Sequence, residues 1–141
     1  MYVVIVGAGK VGWNLARELI AKGHEVTVLE SDSRRYSVVE EELEHRVLYG
    51  DGSELWVLER AGIERADAFV ASTDGDNTNL VIAQVAKRRF NVDRVVVRVL
   101  DPARARWYAE QGLQTVCPTQ TAIELLEAAV RGQIRFEGVS G

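Results

Sequence analysis

The sequence predicts an α/β fold: a Rossmann-type, doubly wound, parallel six-stranded sheet in a three-layer α/β/α arrangement. Three observations predict it. Short apolar runs alternate with helix-length segments along most of the 141 residues. The runs are largely continuous rather than alternately apolar and polar, as in strands covered on both faces. The first run leads straight into a glycine-rich turn that opens a helix, Gly7-Ala8-Gly9-Lys10-Val11-Gly12.

Residues 2–6 (YVVIV) are too short for a helix and β-branched, hence a buried strand. Residues 11–22 place Val11, Leu15, Leu19 and Ile20 at helical spacing, and Gly23 stops that helix. A second strand, 25–30, and a helix, 33–44, follow. Residues 46–50 are a short third strand. Ser53 is placed to cap a helix running through Arg60 and ending near Gly62. The fourth strand, 67–72, precedes a long helix, 76–90, with Leu80, Ala83, Val85 and Ala86 on or near its buried side. The fifth strand is 93–100, and Pro102 starts the next helix, where proline is tolerated. Residues 114–117 form a sixth strand and 119–131 a last helix. Right-handed crossovers between such units give the doubly wound fold. Residues 1–131 therefore read as one nucleotide-binding domain and 132–141 as a tail or the start of a further element.

Composition bounds the function. Apolar residues make up 47% and charged residues 27%, ordinary for a soluble globular chain. No apolar run reaches the roughly 18 residues of a membrane span, so no direct membrane insertion is expected. The start does not read as a signal peptide, since its apolar stretch has no basic flank and runs into the glycine turn. A net charge of −4 argues against general nucleic-acid binding. The cluster Glu40, Glu41, Glu42 and Glu44 reads as a solvated helix face. A single cysteine, Cys117, excludes an internal disulfide and a cysteine-based zinc site, and reads as a small buried residue. These features fit a cytoplasmic protein.

The glycine turn carries the chemistry. Gly7 permits a tight turn, Gly9 lets backbone approach a pyrophosphate, and Gly12 lets the helix pack close to the strand. Free N–H groups and the helix dipole then hold phosphates. Glu30 ends the second strand near the offset expected for a ribose-reading acid, with Ser31 beside it. A carboxylate there repels a 2′-phosphate, which disfavours NADP. Arg34 and Arg35 pull the other way, because an arginine just past this strand can accept that phosphate. Asp32 reads equally as a second ribose contact or as a helix N-cap. Asp51-Gly52-Ser53 follows the third strand, near the adenine position, with Asp51 otherwise a turn residue. Ser72-Thr73-Asp74 ends the fourth strand beside the phosphate crevice. Asn77 and Asn79 open the next helix beside that crevice, Asn79 as a candidate ligand contact with capping as the plainer explanation.

Catalytic equipment is not apparent. The two histidines, His24 and His45, lie away from the carboxyl ends of the strands, where ligands bind in such sheets. There is no Ser-x-x-x-Lys or Tyr-x-x-x-Lys pair, no HExxH and no P-loop. A nucleotide site without such groups points to sensing rather than chemistry.

The segments 5–30, YGDGS (49–53), 70–90, VVVRVLDP (95–102) and GLQTVCPTQTA (112–122) together resemble the RCK domain, also called KTN or TrkA-N, of bacterial potassium channels and transporters. The resemblance covers residues 1–131. It implies binding of NAD(H) or of ATP and ADP. By position it assigns the phosphate loop to Gly7, Gly9 and Gly12, the ribose acid to Glu30 and an adenine neighbour to Asp51. Lys10 stands where some ATP-responsive members carry an arginine that reaches a terminal phosphate. Arg98 matches a basic residue near the phosphates, with a salt-bridged strand-end arginine as the plainer reading. The resemblance also implies a homodimer or higher ring assembly and a membrane-embedded potassium transporter or channel as partner, with the chain peripheral to the inner face of the membrane. The helix at 119–131 matches a crossover helix. Its apolar face, Ile123, Leu126 and Val130, packs either on a partner lobe or on its own sheet.

Two departures from the family pattern stand out. The usual C-terminal lobe has no counterpart in these residues, so the chain is a natural short form or a truncated one. The stretch Cys117-Pro118-Thr119-Gln120 carries no carboxylate where some members bind a divalent cation, so no metal of that type is expected. The expected function is thus a nucleotide-sensing regulatory subunit for potassium transport. The alternatives are a small NAD-dependent oxidoreductase, or a domain fused to or docking on another transporter.

Overall fold

Strand β1 (Tyr2–Val6) is buried along its whole length and forms the centre of the molecule. The computed structural model describes residues 1–134. After β1 come α1 (Lys10–Ala21), β2 (Glu25–Glu30), α2 (Ser33–Leu43), β3 (Val47–Tyr49) and α3 (Leu55–Arg60). Then follow β4 (Ala68–Ala71), α4 (Asp76–Arg88), β5 (Arg94–Arg98), α5 (Pro102–Glu110), β6 (Gln114–Val116) and α6 (Pro118–Val130). The six strands form one sheet of order β3-β2-β1-β4-β5-β6, and every pairing is parallel. The predicted doubly wound sheet is therefore observed.

Successive side chains of a strand face opposite ways. Val4 and Val6 join one core with Leu58, Phe69, Ile82, Ala83 and Val97. Val3 and Ile5 join the other with Ala16, Val26, Val28, Val39 and Val47. Helices α3, α4 and α5 thus cover one face and α1 and α2 the other. On α4 the fully buried positions are Asn79, Ile82, Ala83 and Ala86, while Leu80 and Val85 pack at the edge of the core.

Three local expectations need correction. Ser53 does not cap α3: Glu54 holds the cap position without a side-chain bond, and the Ser53 hydroxyl donates to Asp51 Oδ1 at 2.8 Å. Helix α2 ends at Leu43 because Glu44 turns into the left-handed region, φ 55°, and begins a 3₁₀ turn over Glu44–Arg46. The apolar face of α6 does not cover its own sheet. None of its residues is buried, and Ile123, Leu126 and Val130 are 52%, 66% and 87% exposed. The tail expectation for 132–141 falls largely outside the described residues.

Strand order reverses between β1 and β4. One crossover from β1 leads to β2 on one side, and the chain later returns to β4 on the other. The gap at their carboxyl ends is where ligands enter such sheets. Two glycines shape it. Gly7 has φ 105°, and a Cβ there would sit 2.7 Å from the Ser72 carbonyl oxygen. A Cβ on Gly12 would overlap the Gly7 carbonyl oxygen, so α1 lies against the end of β1 closer than any side chain permits. Gly12→Ala should therefore cost at least about 3 kcal/mol through overpacking against backbone. Chemical denaturation checks this, and a variant as stable as the parent contradicts it.

Candidate functional site

Helix α1 begins on Gly9, which supplies no side-chain cap. The N–H groups of its first turn, Lys10 to Gly12, lack carbonyl partners within the helix. Together with the helix dipole they form an anion-receptive end at the switch point. Gly9 is extended, φ −70° and ψ −170°, a conformation any residue adopts. A Cβ there would meet only the Arg35 guanidinium, at 3.7 Å. The space over Gly9 is thus open to a ligand and bounded by a cation. Lys10 and Val11 are exposed at the start of the helix.

Glu30 closes the inner side of the cleft. It is only 5% exposed, yet its charge is well supported. Its Oε1 accepts the Ala8 N–H at 2.8 Å and its Oε2 the Asp32 N–H at 2.9 Å. An ionised carboxylate offers about four acceptor sites, so roughly two remain for hydroxyl donors. Arg35 lies 3.7 Å from Oε1 and 3.8 Å from Asp74 Oδ2, spanning the mouth of the cleft. Asp32 serves as the N-cap of α2, accepting from Arg34 N and Arg35 N at 2.9 and 3.1 Å. The Arg35 N–H holds its carboxyl below the ordinary aspartate range, desolvation opposes it, and the Arg34 N–H adds to the lowering.

A cavity of about 420 Å³ lies beside Glu30 and Arg35, and the expected site residues Ala8, Gly9, Lys10, Val11, Gly12 and Arg98 stand outside its wall. Its volume is within the range of small-molecule pockets. Its wall includes Gly7, Glu30, Ser31, Asp32, Arg35, Asp51, Gly52, Ser53, Ser72, Thr73 and Asp74, all expected from the sequence. Val6, Leu29, Gly50, Gly75 and Thr78 also line it and were not anticipated. They flank the named residues at strand ends, and only tertiary placement reveals them. No His, Lys, Cys or Tyr lines the cavity among the described residues. Asp51 makes the turn of its own loop, accepting Ser53 N at 2.9 Å. The buried Ser72 hydroxyl donates to the Val6 and Gly7 carbonyls at 3.1 and 3.3 Å, tying β4 to the glycine turn.

Asn79 lies outside the cavity wall and is not a helix cap. It is fully buried and uses its whole amide. Oδ1 accepts Thr73 N at 2.9 Å and Thr73 Oγ1 at 2.6 Å. Nδ2 donates to the Thr73 and Arg98 carbonyls at 3.0 and 2.9 Å. The residue clips the β4–α4 loop to the end of β5. Arg98 reaches the same loop, donating to Thr73 O at 2.8 Å and approaching Asp74 Oδ1 at 3.4 Å. Its Nε is buried without a partner among the described residues. Cys117 is buried, with Sγ 3.7 Å from the Leu100 carbonyl oxygen, as a small core residue. No group of three or more His, Cys, Asp or Glu is placed to hold a metal among the described residues, and no helix there is long and apolar enough to cross a membrane.

Comparison with known proteins identifies the family to which this sheet and its first crossover belong. The family model of the TrkA-N domain matches residues 3–129. The chain belongs to the TrkA-N family. It is 39% identical over 127 residues to the Trk system potassium uptake protein TrkA of Streptomyces coelicolor, covering 89% of this chain and 57% of that protein. It is 35% identical over 131 residues to a TrkA homolog of Methanothermobacter thermautotrophicus, covering 92% and 60%. The chain thus spans under two thirds of the length of these TrkA-N relatives. Among solved structures, the AMP-bound Kef C-terminal domain of Shewanella denitrificans superposes with TM-score 0.76 at 25% identity, over 95% of this chain and 83% of that one. The GsuK structure bound to ADP gives 0.77 at 21% identity, over 94% and 34%. The GsuK channel bound to NAD gives 0.78 at 21%, over 94% and 23%.

Removing the Asn79 amide leaves the Thr73 N–H and the Arg98 carbonyl without a buried partner. Asn79→Ala should lower stability by about 2–4 kcal/mol. Denaturant titration reads it, and a loss under about 0.5 kcal/mol would show that the clip is dispensable.

Proposed function

We propose that this chain is a cytoplasmic, nucleotide-sensing regulatory domain that takes NAD(H) or ATP/ADP and gates a potassium transporter or channel. The observation that carries this is the uncapped start of α1 beside the buried, half-satisfied carboxylate of Glu30, joined to it by the Ala8 N–H and by Arg35, which borders both Gly9 and Glu30. One end suits phosphate and the other suits ribose hydroxyls. AMP, ADP and NAD, the ligands of the Kef and GsuK structures, share an adenosine 5′-phosphate. The names of the TrkA relatives support potassium uptake as the setting.

The cavity lining supports binding rather than catalysis, because none of the usual proton carriers beyond carboxylates stands in it among the described residues. A small NAD-dependent oxidoreductase therefore remains the weaker reading. Glu30 disfavours NADP, whose 2′-phosphate would approach a buried negative charge. Arg35 offsets this only in part, as it already faces two carboxylates. Regulation requires that ligand favour one of two states of an assembly. The exposed apolar residues Ile123, Leu126 and Val130 on α6 support docking on a partner copy, in a homodimer or ring.

Isothermal titration with NADH, NAD, ATP, ADP and NADPH tests the reading. The first four include at least one binder, and NADPH binds more weakly than NADH. Gly9→Val should keep the fold, since its Cβ meets only the flexible end of Arg35. It should lower affinity at least about a hundredfold, because its side chain fills the phosphate space. A wild-type chain that binds none of the first four, or a folded Gly9→Val variant that binds as well as the parent, rules this function out.

A further inference from the structure

The β4–α4 loop places the carboxylate of Asp74 in the wall of the cavity. Asp74 is 79% exposed, but its two oxygens face two different guanidinium groups: Oδ1 is 3.4 Å from Arg98 and Oδ2 is 3.8 Å from Arg35. The Arg35 nitrogen that faces Asp74 is the one lying 3.7 Å from the Cβ position of Gly9. It therefore borders the space over the glycine turn. Thr73, the residue before Asp74, is locked by Asn79 and Arg98, so the loop backbone holds the carboxylate at this rim.

We propose that Asp74 is an affinity-setting residue: a tethered anion that occupies the cations of the phosphate site and must withdraw when a nucleotide phosphate arrives. This rests on the nucleotide-site reading above and adds a residue to it. A phosphate resting on the open face of Gly9 lies against Arg35 and repels the nearby carboxylate. Phosphate is the stronger acceptor and carries more charge than a carboxylate, so it wins the guanidinium. Asp74 yields at small cost because its carboxylate stands in solvent, where its pairing with the part-exposed Arg35 is weak. The penalty falls only on ligands with phosphate. Asp74 thereby sets a threshold for charged nucleotides and leaves the nucleoside unaffected. It also couples phosphate binding to the β4–α4 loop and the start of α4.

The test is a double-mutant cycle by isothermal titration at low salt, where surface charge effects are largest. Adenosine and ADP are titrated into the wild type and into Asp74→Asn, Arg35→Gln and the double variant, each checked for an unchanged melting profile. Asp74→Asn should tighten ADP by roughly two- to fivefold, the scale of an exposed ion pair, with adenosine unchanged. In the Arg35→Gln background that gain should fall by half or more, since the cation Asp74 competes for is gone. A gain of equal size in both backgrounds means simple repulsion and overturns the proposal. So does an equal gain for adenosine. ADP that binds while Asp74→Asn changes nothing overturns this inference alone. ADP that fails to bind the wild type while NADH, NAD or ATP binds overturns this inference alone, and a wild type that binds none of the four overturns it together with the nucleotide-site reading.

Discussion

Helix α1 starts against the end of β1 because Gly7 and Gly12 have no side chains to hold the two apart. A Cβ at Gly12 would overlap the Gly7 carbonyl oxygen, and one at Gly7 would press on Ser72. This backbone-to-backbone approach sets the direction of the first turn of α1. It also fixes where β4 can lie, since Ser72 hydrogen-bonds the carbonyls of Val6 and Gly7. The cleft, its anion-receptive end and its outer wall all follow from that one contact. Burial of β1 on both faces then makes the arrangement rigid.

Charge is arranged around this frame in layers. Innermost is Glu30, buried and held by two backbone N–H groups. Beyond it lies Arg35, shared between Glu30 and Asp74. Outermost is Asp74, shared between Arg35 and Arg98. Each ion is balanced by a neighbour, and the balance loosens toward solvent. The inner carboxylate is held in place, and the Arg35–Asp74 pair, the more exposed of the outer two, parts most readily.

Much of this was legible in the sequence because it depends on short-range rules. Buried strands show as continuous apolar runs, and residues 2–6 and 25–30 could hardly be anything else. The glycine turn declares itself because close approach excludes side chains. Glu30 is found by its place at a strand end. The role of Asn79 is not legible, because its four partners sit on Thr73 and Arg98 and nothing local distinguishes such a clip from a cap or a ligand contact. Ser53 was misplaced because Asp51, two residues earlier, competes for its hydroxyl. The α6 face showed helical periodicity, but periodicity does not say what covers a face. In this structure its own sheet does not.

The central claim is that the start of α1 receives the phosphate. Backbone amide resonances report this directly. In ¹⁵N-labelled protein titrated with ADP, the amides of Gly9, Lys10, Val11 and Gly12 should show the largest shifts in the chain, as orphan N–H groups gain charged acceptors. Saturating ADP binding that leaves those four amides unmoved contradicts the account.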